Sequence, residues 1–72
     1  MNYRLSRHAR EELARRQIPL DLFDEVLTQP EQKVSGHEEI VCYQSRILLG
    51  GKEYLLRVMV NETTEPATVV TI

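Results

Sequence analysis

Leu5, Ala9 and Leu13 recur at every fourth position and lay one narrow apolar stripe along the start of the chain. Ser6 stands where a helix N-cap belongs, with Leu5 before it placed as a hydrophobic staple. Pro19 disfavours helical geometry at Ile18, so the spacing predicts a first helix ending near Gln17. Leu22, Phe23, Val26 and Leu27 repeat the helical spacing and predict a second helix from Leu20 to Leu27 or Thr28, stopped by Pro30. Asp21, Asp24 and Glu25 suit its positive N-terminal half.

Beyond Pro30 the pattern changes to short alternating runs, the mark of strands. Gln32–Val34 is a short first run, and Ser35-Gly36-His37-Glu38 reads as a turn. Ile40–Leu49 and Lys52–Val60 are two long strands joined by Gly50-Gly51, a pair suited to a tight hairpin. Asn61–Pro66 is a polar loop and Ala67–Ile72 a last strand, expected to leave an unsatisfied edge. The predicted fold class is α+β: two N-terminal helices packed on one face of a three- to four-stranded antiparallel sheet.

The hairpin also predicts which side chains share a face. With a two-residue turn, Leu49 faces Lys52, and one face carries Val41, Tyr43, Ile47, Tyr54, Leu56, Val58 and Val60. That face is the expected floor for the helices. The other carries Cys42, Gln44, Arg46, Leu55, Arg57 and Met59, with Arg57 opposite Gln44 and Arg46 opposite Leu55. A one-residue bulge would exchange the faces of one strand.

Size adds an energetic constraint. A single domain of 72 residues buries only ~60% of the surface its unfolded chain exposes. Cys42 is the only cysteine, so no disulfide framework compensates. Association with a partner protein or with a second copy is therefore expected. No apolar run reaches membrane-spanning length, and the expected compartment is the cytoplasm. The chain carries a net charge of -2, which argues against indiscriminate nucleic-acid binding. Its charge is nonetheless unevenly placed: residues 4–16 hold five arginines against two glutamates.

The sequence has no zinc-ligand spacing, phosphate-cradling glycine loop or nucleophile elbow, and implies no metal and no cofactor. Cys42 lies among apolar neighbours and reads as a packed thiol. His37 reads as a solvated turn residue beside Glu38 and Glu39. His8 differs, because a helix N-terminus and neighbouring arginines favour a neutral ring able to take a proton or orient a phosphate. Its plain alternative is a surface histidine beside Glu12. Arg16 has a plain alternative too, a pair with Glu12 four residues earlier worth ~0.3–0.5 kcal/mol. Arg57, set in Leu-Leu-Arg-Val-Met-Val, needs either solvent or an anion, since a lone buried charge is costly.

The segments RHAREELARRQIP, VLTQP, CYQSRI, YLLRVMV and ATVVTI together resemble a small bacterial domain family of uncharacterised function, grouped with the RelE/ParE-like toxins of toxin–antitoxin modules. The resemblance rests on His8-Ala9, the step from Arg16 to Ile18, Pro30, Arg57 and Thr71. It implies two N-terminal helices on an antiparallel sheet and an antitoxin-like partner. RelE-like members cleave RNA without metal, whereas ParE-like members act on gyrase. On that resemblance His8 and Arg57 are the candidate catalytic residues, and Arg16 and Arg46 the candidate RNA-binding ones. Arg46 joins them only through the hairpin register. Two departures stand out: related sequences continue past the Val-Val-Thr strand into an aromatic and basic tail, and Leu20 occupies a position where Ser or Thr is expected. The expectation is thus a toxin-like domain, active as a metal-independent ribonuclease or serving as a non-catalytic protein-interaction module.

Overall fold

The computed structural model describes residues 1–72. Its elements are β1 (Tyr3–Leu5), α1 (Arg7–Arg16), α2 (Leu20–Thr28), β2 (Gln32–Ser35), β3 (Ile40–Leu49), β4 (Lys52–Asn61) and β5 (Ala67–Thr71). Ser6 caps α1, its Oγ accepting from the Ala9 N–H at 3.0 Å. The helix ends at Gln17, whose φ of 53° turns the chain left-handed while its N–H bonds back to Ala14. Pro19 occupies the cap of α2 and offers it no side-chain hydrogen bond; Asp21 instead accepts from the Leu22 N–H. Gly50 and Gly51 both adopt positive φ, the backbone that a two-residue hairpin turn requires.

The hairpin register is the one that turn predicts, with Leu49 opposite Lys52, Gln44 opposite Arg57 and Tyr43 opposite Val58. The inner face of the sheet contributes Tyr43, Ile47, Leu56, Val58, Val60 and Val69 to a single buried cluster. Both helices complete it, α1 with Ala9 and Leu13, α2 with Phe23, Val26 and Leu27. The other face has no helix over it. Cys42 is buried there, between its strand partners Val34 and Met59, as a packed thiol.

Two expectations are corrected. The sheet has five strands in the order β1-β5-β4-β3-β2, and it is mixed, because β1 pairs parallel with β5. Three residues are too few to display a period of two, so β1 leaves no readable pattern. It is fixed by tertiary contacts. Tyr3 stacks edge-on against Phe23 and its hydroxyl donates to Asp24, while the Ser6 N–H bonds the Val69 carbonyl. Leu5 consequently lies in a strand, and the outer edge of β5 is covered by β1.

Candidate functional site

The four basic residues singled out in the sequence fall on two sides of the sheet. Arg57 and Arg46 project from the face without helices, as diagonal neighbours on β4 and β3. Arg57 Nε donates to Gln44 Oε1 at 3.2 Å, and Gln44 Nε2 donates to Gln32 Oε1 at 2.7 Å, so one polar row crosses three strands. No carboxylate lies in ion-pair range of Arg57. Arg46 is engaged: Glu31 accepts from its guanidinium at 3.1 and 3.2 Å and from its backbone N–H at 2.8 Å. These bonds hold the Glu31 carboxyl below the ordinary range.

His8 and Arg16 stand on α1, the helix that packs over the opposite face. His8 lies in the exposed first turn, its Nε2 3.0 Å from Thr71 Oγ1 at the end of β5. Arg16 is paired with Glu12 Oε1 at 2.9 Å, and Arg15 binds the same carboxylate at 2.7 Å. Hydrogen bonding to Arg15 is the main cause that lowers the Glu12 carboxyl. The structure therefore gathers Arg46 with Arg57, and places His8 and Arg16 two helical turns apart on the helix layer. No three His, Cys, Asp or Glu side chains converge as a ready set of metal ligands.

Two features escaped the sequence pattern. The first closes one end of the core. Tyr43 donates its hydroxyl to Glu62, and Lys33 Nζ stands 3.1 Å from Glu62 Oε2 and 4.5 Å above the Tyr43 ring. Burial raises the Tyr43 phenol, while the phenol bond and the ammonium lower the Glu62 carboxyl. Glu62 lies in the loop after β4, so only the folded chain brings it to this strand partner of Lys33.

The second is a groove of about 600 Å³ at the other end of the sheet, lined by Arg16, Ile18, Ile47, Leu49, Tyr54 and Leu56 among others. The end of α1 and the turn after it border this groove without closing it, so Tyr54 is 49% exposed although it shares the inner face with buried Val58. Leu55 and Leu48 on the opposite face are 55% and 70% exposed. Together they make an apolar end to an otherwise charged molecule.

The molecule is thus an α+β domain with helices on one sheet face, an uncovered second face and an apolar hairpin end. Residues 5–72 match the family model of a domain of unknown function, DUF4258, and the chain belongs to that family. Neither the curated proteins nor the solved structures hold a match to it.

Proposed function

We propose that this chain is a RelE/ParE-like domain that works by holding a protein partner, with the hairpin end as its contact surface. The observation that carries this reading is the apolar groove flanked by half-exposed Tyr54 and Leu55. Large apolar side chains gathered at one exposed place mark an interaction surface on a small domain. The distribution of the basic residues supports it too, since Arg46 is paired with Glu31 and Arg16 with Glu12, a carboxylate that Arg15 also binds. The partner implied by the resemblance is an antitoxin-like protein. Co-expression with the product of the adjacent gene, followed by light scattering on the purified material, tests this. A stable complex that is lost in Tyr54→Ser/Leu55→Ser is the expected result. A complex indifferent to both changes overturns the assignment of the surface.

A second reading, metal-independent RNA cleavage, is favoured by one observation: Arg57 is exposed and has no carboxylate partner, so its charge is free to meet a phosphate. Here Arg57 would stabilise the phosphorane, Arg46 would add positive charge beside it only on leaving Glu31, and His8 and Arg16 would serve only if the strand wrapped around the sheet end. Incubating the chain with RNA in chelator at low salt separates the readings. Cleavage that disappears in Arg57→Ala establishes the second and displaces the first.

A further inference from the structure

β2 is the one strand whose every residue is exposed. Its single apolar residue, Val34, is 39% exposed and lends no side chain to the core cluster. Beyond its backbone pairing with Val41–Gln44, β2 is therefore held by polar side chains. Glu31, just before the strand, accepts from the Arg46 guanidinium at 3.1 and 3.2 Å, and its N–H donates to Ser45 Oγ at 2.8 Å. Gln32 accepts from Gln44 at 2.7 Å. Lys33 Nζ stands 3.1 Å from Glu62 Oε2, which ties this edge of the sheet to the loop after β4. Two of the ties, at Glu31 and Glu62, require an ionised carboxylate.

The turn that returns the chain from β2 to β3 is strained. Glu38 and Glu39 follow one another with φ of 51° and 67°, a left-handed backbone that residues other than glycine disfavour, and their like charges adjoin. Gly36 closes the turn by donating its N–H to the Ile40 carbonyl at 2.7 Å, and a Cβ at this position would lie 2.8 Å from that oxygen. Strain of this kind persists only where the surroundings hold it. Here the surroundings are the backbone ladder and polar ties of β2. Their release would uncover two things: the edge of β3 along Val41–Gln44, and the thiol of Cys42, whose strand partner on this side is Val34.

We propose that β2 and the turn after it form a latch, which leaves the edge of β3 with the rest of the fold intact when the carboxylate ties at Glu31 and Glu62 are broken. Segments with few buried contacts open at a lower cost than the whole domain, and β2 has none in the core. Acid is the trigger that suits these ties. Hydrogen bonds from Arg46 hold the Glu31 carboxyl below its ordinary value of 4.5, and those from Tyr43 and Lys33 do the same for Glu62. Both ties are complete above pH 4.5 and are lost as pH falls through the lowered values. Glu53 on β4 also acts on Arg46, and Glu25 of α2 borders the same hollow as Glu31. His37, Glu38 and Glu39 occupy the turn; acid removes the repulsion of the two glutamates and so works against release. Salt screens both ion pairs, because they are exposed.

The test uses the full chain and reads Cys42 with 4,4′-dithiodipyridine, which reacts with thiols in acid, while amide exchange follows the backbone. Labelling rates are divided by those of the chain unfolded in denaturant at the same pH, so that the thiolate fraction cancels. From pH 7 to about pH 3.5 the protection of Cys42 should fall at least ~tenfold, together with that of the β2 amides bonded to β3, while Val58, Val60 and Val69 keep theirs. About 1 M salt should act in the same direction at pH 7. The double variant Glu31→Gln/Glu62→Gln should lower protection at pH 7 and flatten its response to acid. Gly36→Ala should lower it at every pH, since it forces the turn apart without touching a tie. Protection of Cys42 that always equals that of the core amides overturns the proposal, because the thiol then appears only on global unfolding. So does labelling of the parent chain that ignores pH and salt, a result that needs no variant to fold. Opening of the β4 amides in step with Cys42 overturns it as well, by moving the opening to the other side of β3.

Discussion

Val58 and Val60 at one end of β4 are fully buried, whereas Tyr54, on the same face four residues before Val58, stays half exposed. The two ends carry the same alternation of side chains. Their difference lies in what stands next to them. At the far end β5 lies alongside and both helices lie above, so the inner face is removed from water. At the hairpin end α1 gives way to the turn at Gln17 and Ile18, which leaves a groove between that turn and the hairpin. Alternation decides the face a residue occupies; neighbours decide whether that face is buried. The covered end should therefore carry stability and the hairpin end should carry contact.

Truncation at the two ends gives the widest separation. Phe23→Ala removes a fully buried ring from the core cluster that also holds Val58 and Val60, and should cost ~3–5 kcal/mol. That is a large share of the stability expected from 0.05–0.15 kcal/mol per residue, or ~4–11 kcal/mol for a chain of this size. Tyr54→Ala should cost less than ~1 kcal/mol, because the ring is already half in solvent. Denaturant titration of both variants checks the contrast, and equal losses would erase the proposed division of roles.

Ser6→Ala should come next, at ~0.5–2 kcal/mol. Its Oγ caps α1 and also donates to the Val70 carbonyl at 2.8 Å, so the change loosens the helix and its seat on β5 together. Amide exchange should report the loss at Ala9 and along β5, with Lys52–Leu55 unaffected. An equal response at the hairpin would join the two ends into one cooperative unit.

The response to pH should be smaller and two-sided. Glu12, Glu31 and Glu62 titrate below their ordinary value of 4.5 in the folded chain. Their contribution is present above pH 4.5 and is lost as pH falls through the lowered folded values. Tyr3 moves the other way: burial first, then the bond to Asp24, push it from 10.0 to about 12. Its contribution is full below pH 10 and disappears as pH rises from 10 to about 12, where the unfolded chain ionises first. Melting temperature against pH should show a plateau between these limbs, and Tyr3→Phe should reduce the alkaline loss. An unchanged alkaline limb would remove Tyr3 from the account of the covered end.

Smallest of all should be the effects of Arg16→Ala and Arg57→Ala on stability, each within ~0.5 kcal/mol, since both side chains are exposed. Their effect should appear in binding. A drop in stability beyond that bound at Arg57 would make its row with Gln44 and Gln32 a structural element of the sheet.

Much of this architecture is legible in the sequence because it rests on short-range rules. Ser6 as a cap, Gly50-Gly51 as a tight turn and Pro19 as a helix stop act through local backbone geometry. From them follow both helices and the register that sets Arg57 beside Gln44. The candidate site was legible only in part: Arg46 and Arg57 share a face as the alternation requires, and Arg16 meets Glu12 as helical spacing requires. Which face of the sheet each element serves, and hence the separation of His8 and Arg16 from that pair, needed the packed chain. So did β1, whose three residues pair with a strand more than sixty positions away. The groove lies furthest from sequence, because it depends on where the end of α1 comes to stand against the hairpin. Periodicity is a property of the strand itself, whereas burial and edge exposure belong to the arrangement around it, and only the tertiary structure supplies that arrangement.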